Sequence, residues 1–415
     1  MGKPPVDPTS LPERALSALD ALAPGLSGLA LVEELRRQLP AEEARAAAEL
    51  CELRRRALDR LADAPRLLLS RKGLEQASDR RVAAARAARL VRLAPGRFVL
   101  DATAGVGSDA LALLARGVRV VAADRDPSAA RCAAANLRAL GGAVLRADAL
   151  RPPLLRTEDA LLLIDPDRRP GRSRHEGRAR GEGRAGAPEE WEPPLAACLA
   201  LERTFAGACL KLPPAFDPGR LALTPGRPLL AQWVSLAGEL KEVALWTGVL
   251  AGDGAGRREA LALDRAGAEA RLAGEPLDRA ALDDGEARAA PFIADPDPAL
   301  VRSGLLGLLA EELGARPLHP LCAYLGSEGP LVSPFLRSFR VLDAAPLDPR
   351  RVRRMLGLHD VGPVTVKKRG HPDPADKLAR RLRGPGRQPG VLLLARLERS
   401  HHAFLVAPLD PPHPR

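Results

Sequence analysis

Four short apolar runs between residues 98 and 165 each lead into an aspartate. Phe98-Val99-Leu100 ends in Asp101, Val118–Ala123 in Asp124, Ala143–Arg146 in Ala147-Asp148, and Ala160–Ile164 in Asp165. All are of strand length. The last is apolar throughout, as a strand buried on both faces of a parallel sheet must be. Amphipathic helical patterns follow the first two runs, from Ser108 to Arg116 and from Pro127 to Leu140. Buried strands alternating with helices predict an α/β fold. In such a sheet the carboxyl ends of the strands line the ligand crevice. One aspartate there is a turn former, but four in register are hard to explain as turns alone.

The first strand passes into Ala102-Thr103-Ala104-Gly105-Val106-Gly107-Ser108-Asp109. Gly105 and Gly107 allow positive φ and leave no Cβ in the way of a ligand. Ser108 or Asp109 is expected to cap the helix that Gly117 ends. Asp124 lies 19 positions after Gly105, the offset at which an acid reaches ribose hydroxyls. A dinucleotide turn would carry a third glycine where this chain has Ala110, a replacement that fingerprint tolerates. Asp109, however, places a negative charge in the first turn of the helix, where a pyrophosphate would sit, and Asp101 adds to the repulsion. A cofactor without phosphates and with a cation fits better. S-adenosylmethionine, with its ammonium and sulfonium, is such a molecule.

Asp101-x-x-x-Gly105-x-Gly107, Asp124, Asp148 and Asp165-Pro166 together resemble motifs I to IV of class I S-adenosylmethionine-dependent methyltransferases, over roughly Arg92 to Gly248. The wider layout resembles a bacterial subfamily of these enzymes with a C-terminal THUMP-like domain. It does so through Ser70-Arg71-Lys72-Gly73-Leu74-Glu75-Gln76-Ala77, the Asp165-Pro166-Asp167-Arg168-Arg169 turn, Ser333-Pro334-Phe335 and Val366-Lys367-Lys368-Arg369-Gly370. The resemblance implies a Rossmann-like sheet, parallel with antiparallel final strands. It implies cofactor contacts at Asp101, Ala104, Gly105, Gly107, Asp124 and Asp148, with Asp101 on the ammonium, Asp124 on the ribose hydroxyls and Asp148 on the adenine amino group. Asp165 would lie near the transferred methyl. Enzymes that methylate exocyclic base amines often place an aromatic ring after this Asp-Pro pair; here Asp167-Arg168-Arg169 follows, without one. Arg168 and Arg169 could hold phosphate or stack on a base, completing a catalytic set with Asp165, or they could pair with Asp167 to fix the turn.

The rest of the chain divides around this core. Residues 1–91 read as a helical N-terminal region, and residues 92–250 as the cofactor-binding domain. In the helical region, Arg80, Arg81, Arg86 and Arg89 suit either a solvated helix face or a platform leading into the core. After the core's Gly/Arg/Glu-rich loop from Pro170 to Pro194, Ala208–Leu212 reads as a fifth strand with Lys211 as a solvated strand end. Gln232–Leu236 and Glu242–Trp246 read as a pair of strands. Residues 251–332 read as a connecting region, poorly packed to Ala290 with two edge strands, and then a helix over Val301–Leu313. Residues 333–415 read as a small α+β domain: strand Phe339–Leu342, helix Pro349–Leu356, strand Val364–Lys368, helix Pro374–Leu382 capped by Asp373, and a closing hairpin.

The formal net charge is +11, nearly all of the cations being arginine. A GC-rich genome accounts for part of this, and phosphate-bearing partners suit the rest. Lys367-Lys368-Arg369 and the Arg350–Arg354 cluster could contact phosphate or form a solvated basic face. Five scattered cysteines without a C-x-x-C pair argue against zinc and a disulfide framework. His401-His402 has no ligand partners in sequence, so no metal is expected. With no signal-like N-terminus and no long apolar stretch, the chain is expected to be cytoplasmic and off the membrane. Aromatics make up only 3%, too few for an RNA reader that relies on stacking. The composite expectation is a methyltransferase acting on RNA. A non-catalytic binder of S-adenosylmethionine or RNA is the alternative, and a dinucleotide-dependent oxidoreductase is disfavoured by Asp109.

Overall fold

The computed structural model describes residues 7–22, 25–152, 156–167, 187–220, 226–369, 371–398 and 400–409. The chain folds as two compact units, one of residues 1–230 with 242–255 and one of residues 231–241 with 256–415.

In the first unit, five helices precede the sheet: α1 (Glu13–Asp20), α2 (Gly28–Arg36), α3 (Ala41–Ala57), α4 (Arg71–Gln76) and α5 (Arg80–Leu93). Then come β1 (Phe98–Asp101), α6 (Ser108–Leu114), β2 (Val120–Asp124), α7 (Pro127–Leu137), β3 (Ala143–Arg146), β4 (Ala160–Ile164), α8 (Leu195–Glu202) and β5 (Gly207–Leu212). Strands β3, β2, β1, β4 and β5 lie side by side in that order, all parallel. The order reverses at β1, so the crevice opens beyond the ends of β1 and β4, where Asp101 and Asp165 stand. β4 and β5 are buried at every position, which is why they read as uninterrupted apolar runs.

Strands β6 (Leu229–Leu236) and β7 (Glu239–Gly248) follow, and Val243–Gly248 pairs antiparallel with β5. This is the expected Rossmann-like sheet, parallel with an antiparallel end. One apolar cluster, including Leu50, Leu53, Leu90, Leu111, Leu137, Leu163 and Trp246, runs from the N-terminal helices to the sheet. The helical region therefore shares the core of the cofactor fold. Arg86 and Arg89 sit inside that packing and not on a solvated face. Arg89 donates to the Leu250 and Ala251 carbonyls and lies 5.0 Å over the Trp246 ring.

In the second unit, residues 231–236 of β6 pair parallel with β8 (Arg258–Leu263), which pairs antiparallel with β9 (Glu269–Gly274). β8 is buried from Glu259 to Leu263, so this strand is well packed, whereas β9 alternates exposed and half-buried positions up to the buried Gly274. Then come α9 (Asp284–Ala289), β10 (Phe292–Pro296), α10 (Pro298–Ser303), α11 (Leu306–Glu312), β11 (Arg316–His319) and β12 (Cys322–Ser327). Val301–Leu313 is thus not one helix. Gly304 takes φ +79° and splits the pattern in two.

The chain ends with β13 (Leu336–Pro346), α12 (Pro349–Leu358), β14 (Val361–Arg369), α13 (Ala375–Arg381), β15 (Gln388–Arg396) and β16 (His401–Pro408). Seven strands form one sheet in the order β11-β12-β10-β13-β16-β15-β14. Helices α12 and α13 cover one set of its side chains through Val352, Met355, Leu356, Leu378 and Leu382. Asp373 does not cap α13; Pro374 holds the cap position, and Asp373 pairs with Lys377 at 3.2 Å and with Arg381 at 3.6 Å. Among the described residues, no helix is long and apolar enough to cross a membrane.

Candidate active site

Backbone bonds hold the glycine turn between its neighbouring strands. Ala102 N–H donates to the Leu163 carbonyl at 2.9 Å, and Ala104 N–H to the Ala123 carbonyl at 3.0 Å. Asp165 N–H donates to Thr103 Oγ1 at 2.6 Å, so the turn and the end of β4 are one piece. Within the turn the two glycines differ. Gly105, at φ +56°, has no atom within 4 Å of where a Cβ would be, and it donates its N–H to Asp124 Oδ2 at 2.9 Å. Gly107, at φ +84°, faces α7: a Cβ there would lie 3.2 Å from Leu137 Cδ2. Gly107 is also the N-cap of α6, which has no side-chain cap, so neither Ser108 nor Asp109 plays that part.

Asp109 instead turns inward. Arg86 pairs with its Oδ1, while Ser78 Oγ donates to Oδ2 at 2.9 Å and Lys211 Nζ at 3.2 Å. Burial would raise its pKa, but Arg86 and Lys211 outweigh that and hold the carboxyl below its usual range. Its charge is therefore paired within the protein and does not face a ligand alone.

Lys211 is the second surprise. It is buried in β5, pairing with Asp109 and, at 2.6 Å, with Asp165 Oδ2. Burial lowers the pKa of its ammonium, yet the two carboxylates more than reverse this and raise it. The lysine is not a solvated strand end. A lone charge in a run otherwise buried on both faces was the signal available in the sequence.

Asp101 closes β1. It is 3% exposed, and its Oδ2 has no hydrogen-bond partner. Burial first, and then the negative charge of Asp109, push its pKa up to about 8. Asp124 ends β2, with Oδ2 on Gly105 N–H and Oδ1 on Asp126 N–H at 2.9 Å. A carboxylate oxygen has two acceptor positions, so both can still receive a hydroxyl. Ala104 is buried in the turn. Asp148 stands two residues beyond β3, exposed, its Oδ1 accepting Leu150 N–H at 3.0 Å. An orphaned carboxylate oxygen, an open backbone at Gly105 and a half-engaged acid at Asp124 fit a ligand that presents a cation at one end and hydroxyls further along.

The helical region supports this turn directly. Ser70 caps α4 by accepting Gly73 N–H at 2.9 Å. Gly73 lies so near the turn that a Cβ would fall 2.5 Å from Val106 Cγ1. Asn136 of α7 binds Leu68 through both its N–H and its carbonyl, and donates to the Val106 carbonyl at 2.9 Å. Lys72 Nζ stands 3.1 Å from Asp167 Oδ2. Backbone bonds between Asp167 and Glu192 bring the chain back to the Asp165 turn. Arg168, Arg169 and residues 170–186 lie outside the described residues. Trp191, Trp233 and Trp246 are all buried.

In the C-terminal unit, Lys367 and Arg369 grip the Asp295 carboxylate at 2.7 and 2.8 Å, and Lys368 donates to the His371 carbonyl at 2.8 Å. Lys367 and Arg369 are thus engaged with a carboxylate and Lys368 with a carbonyl, and all three are half-buried rather than a solvated face. Arg350, Arg351, Arg353 and Arg354 of α12 are exposed and, among the described residues, form no ion pair. A cleft of about 430 Å³ lies beside that helix, lined by Asp348, Arg351, His371, Arg381 and His401. No group of three metal-capable side chains occurs among the described residues.

Comparison with known proteins identifies relatives of the chain. A family model described as THUMP domain-like matches residues 336–408. A relative from two strains of Mycobacterium tuberculosis, named an uncharacterized S-adenosylmethionine-dependent methyltransferase, is 34% identical over 358 residues, 83% of this chain and 90% of the relative. A crystal structure from Porphyromonas gingivalis described as a methyltransferase shares the fold, with a TM-score of 0.64 at 20% identity, over 90% of this chain and 92% of that one. A shorter likeness, 49% over 49 residues, links 12% of this chain with 14% of the small-subunit ribosomal RNA methyltransferase H of Rhizobium johnstonii.

Proposed function

The chain belongs to the S-adenosylmethionine-dependent methyltransferases, and from that premise we propose that it methylates RNA. S-adenosylmethionine is its cofactor; when bound, it supplies a methyl group on a sulfonium, so transfer is an in-line displacement that demands alignment and exclusion of water. Asp101 receives the cofactor's ammonium on its free oxygen, directly or through water. Gly105 gives the ligand close backbone approach, and Asp124 accepts from the ribose hydroxyls. Ala104 and Gly107 shape the turn beneath it, and Asp148 serves the adenine amino group. Asp165 faces the reacting nucleophile. On sequence grounds, Arg168 and Arg169 hold the substrate's phosphate near it.

The RNA assignment rests on one observation above others: the four exposed arginines of α12 stand without carboxylate partners among the described residues, within the THUMP domain-like segment. Elsewhere in the same unit, the cations of β14 are paired with a carboxylate or a carbonyl. Unpaired, closely spaced guanidinium groups suit a phosphate backbone. The local likeness to a ribosomal RNA methyltransferase is in keeping with this reading. The domain limits at 91, 250 and 332 belong to the same proposal: a helical support, a catalytic core, a connection and an RNA-presenting module.

The test is transfer of tritiated methyl from S-adenosylmethionine to total RNA and, separately, to total protein, both from a cell lacking the gene. Label in RNA is the expected result. Label in protein and none in RNA overturns the assignment, and binding of the cofactor without transfer to either marks a non-catalytic binder.

A further inference from the structure

The cluster around Lys211 is more elaborate than the packing of a β-strand requires. Its ammonium is buried between Asp165, at the end of β4, and Asp109, in the first turn of α6. Asp109 is itself held by Arg86 and Ser78 from the N-terminal helical region, and Arg86 reaches on to Glu242 of β7. Asp101 lies close enough on β1 for its ionisation to feel both Asp109 and Lys211. Three carboxylates (Asp109, Asp165, Glu242) thus share two cations (Arg86, Lys211), an excess of one negative charge that suits a cationic methyl donor.

Asp165 is the member of this chain that opens outward, its side chain 25% exposed against 8% for Lys211. Its backbone is fixed by Thr103 and its Oδ2 by Lys211. We propose that Lys211 is a positioning residue for methyl transfer: by anchoring Oδ2 of Asp165 it fixes the orientation of that side chain and leaves the other oxygen to accept the N–H or O–H of the incoming nucleophile. This rests on the reading that Asp165 faces the nucleophile. Without the lysine the Asp165 side chain would be free to rotate about its side-chain bonds. The arrangement also makes the N-terminal helices part of the catalytic apparatus, because Arg86 and Ser78 hold Asp109, and Asp109 holds Lys211.

The test uses the full chain and separates kcat from KM for methyl transfer to RNA. Lys211→Met is expected to lower kcat at least about tenfold while leaving KM for RNA and S-adenosylhomocysteine affinity within about threefold. Lys211→Arg, which can still pair with Asp165, should restore part of kcat. If Lys211→Met transfers methyl at the wild-type rate, or if its loss lies in cofactor or RNA affinity alone, the inference is overturned. If Asp165→Asn transfers normally while Lys211→Met is impaired, the reading of Asp165 fails instead, and the ion pair is only structural. Should Lys211→Met fail to fold, Lys211→Gln takes its place with the same outcomes.

Discussion

Gly73 of α4 lies against Val106 of the cofactor turn with no room for a methyl group between them: a Cβ on Gly73 would be 2.5 Å from Val106 Cγ1 and 2.9 Å from Ser70 Oγ. A glycine that looks out of place in a helix is there because the helix rests on the turn. Val106 is buried and cannot step aside freely. Gly73→Ala is therefore expected to destabilise the protein by about 1–3 kcal/mol, as overpacking does, and to weaken S-adenosylhomocysteine binding. Urea unfolding and calorimetric titration measure both. Adding Val106→Ala should restore part of each; if it restores neither, the contact is not the cause.

Asp101 carries a pH signature. Its pKa in the folded protein is about 8, against a usual 3.8. A group raised in this way is protonated in the native state when the unfolded chain has already lost its proton. The stability linked to it is full below about pH 4 and is lost as pH rises through about 8. Asp101→Asn cannot lose a proton. Whatever the fixed offset between the two proteins, the variant should gain on the wild type steadily from pH 4 to pH 8, by about 1.4 kcal/mol per pH unit at most, and then run parallel. Cofactor binding should show the opposite preference. The ammonium requires the carboxylate, so wild-type affinity should strengthen towards pH 8 with proton release, and Asp101→Asn should bind about 10–100-fold more weakly. Titrations in buffers of different ionisation enthalpy detect that proton. A stability gap that does not change with pH refutes the assignment.

Arg86 holds two carboxylates, the buried Asp109 and the partly buried Glu242. Removing the guanidinium leaves both without it in the core, a change that typically costs about 3–5 kcal/mol. Arg86→Met should lower the urea midpoint accordingly. Arg86→Met combined with Glu242→Gln should be less damaging than the two separate losses added together, because they share one interaction. Strict additivity in the double-mutant cycle would show that the pair is not coupled.

The parts of this site that were legible in the sequence are local. Asp101, Gly105, Gly107 and Asp124 fall within one strand-turn-helix-strand unit, where hydrophobic periodicity and glycine placement suffice. The charge network was not legible, because Arg86, Asp109, Lys211 and Glu242 are brought together from 156 residues of chain. Without the fold, each arginine or lysine resembles an ordinary surface charge. The same limit hid Asp295, whose two cations, Lys367 and Arg369, lie 72 and 74 residues away. Strands β10, β11 and β12 were missed for another reason. They are four to six residues long and carry Pro296, Pro317 and Gly326, which weaken the strand pattern that their sheet neighbours then supply. In Val301–Leu313 the apolar spacing is helical throughout, and the positive φ of Gly304, which that spacing does not show, divides it into two helices.

The C-terminal unit separates two kinds of basic residue, and this gives the sharpest test of RNA binding. Lys367 and Arg369 are consumed by Asp295, whereas Arg350, Arg351, Arg353 and Arg354 remain exposed on α12. If the α12 face meets phosphates, each arginine replaced by alanine should weaken RNA binding across sequences alike, and should flatten the plot of log affinity against log salt by about one contact. Arg350→Ala/Arg354→Ala should therefore lose about two contacts with an unchanged urea midpoint. Lys367→Ala should do the reverse, lowering the stability of the unit by leaving Asp295 with Arg369 alone, and leaving the salt slope as it was. Binding measured by fluorescence anisotropy from 50 to 200 mM salt distinguishes these outcomes at about the scale expected for phosphate contacts. A salt slope that survives loss of both arginines would move the RNA site off this helix.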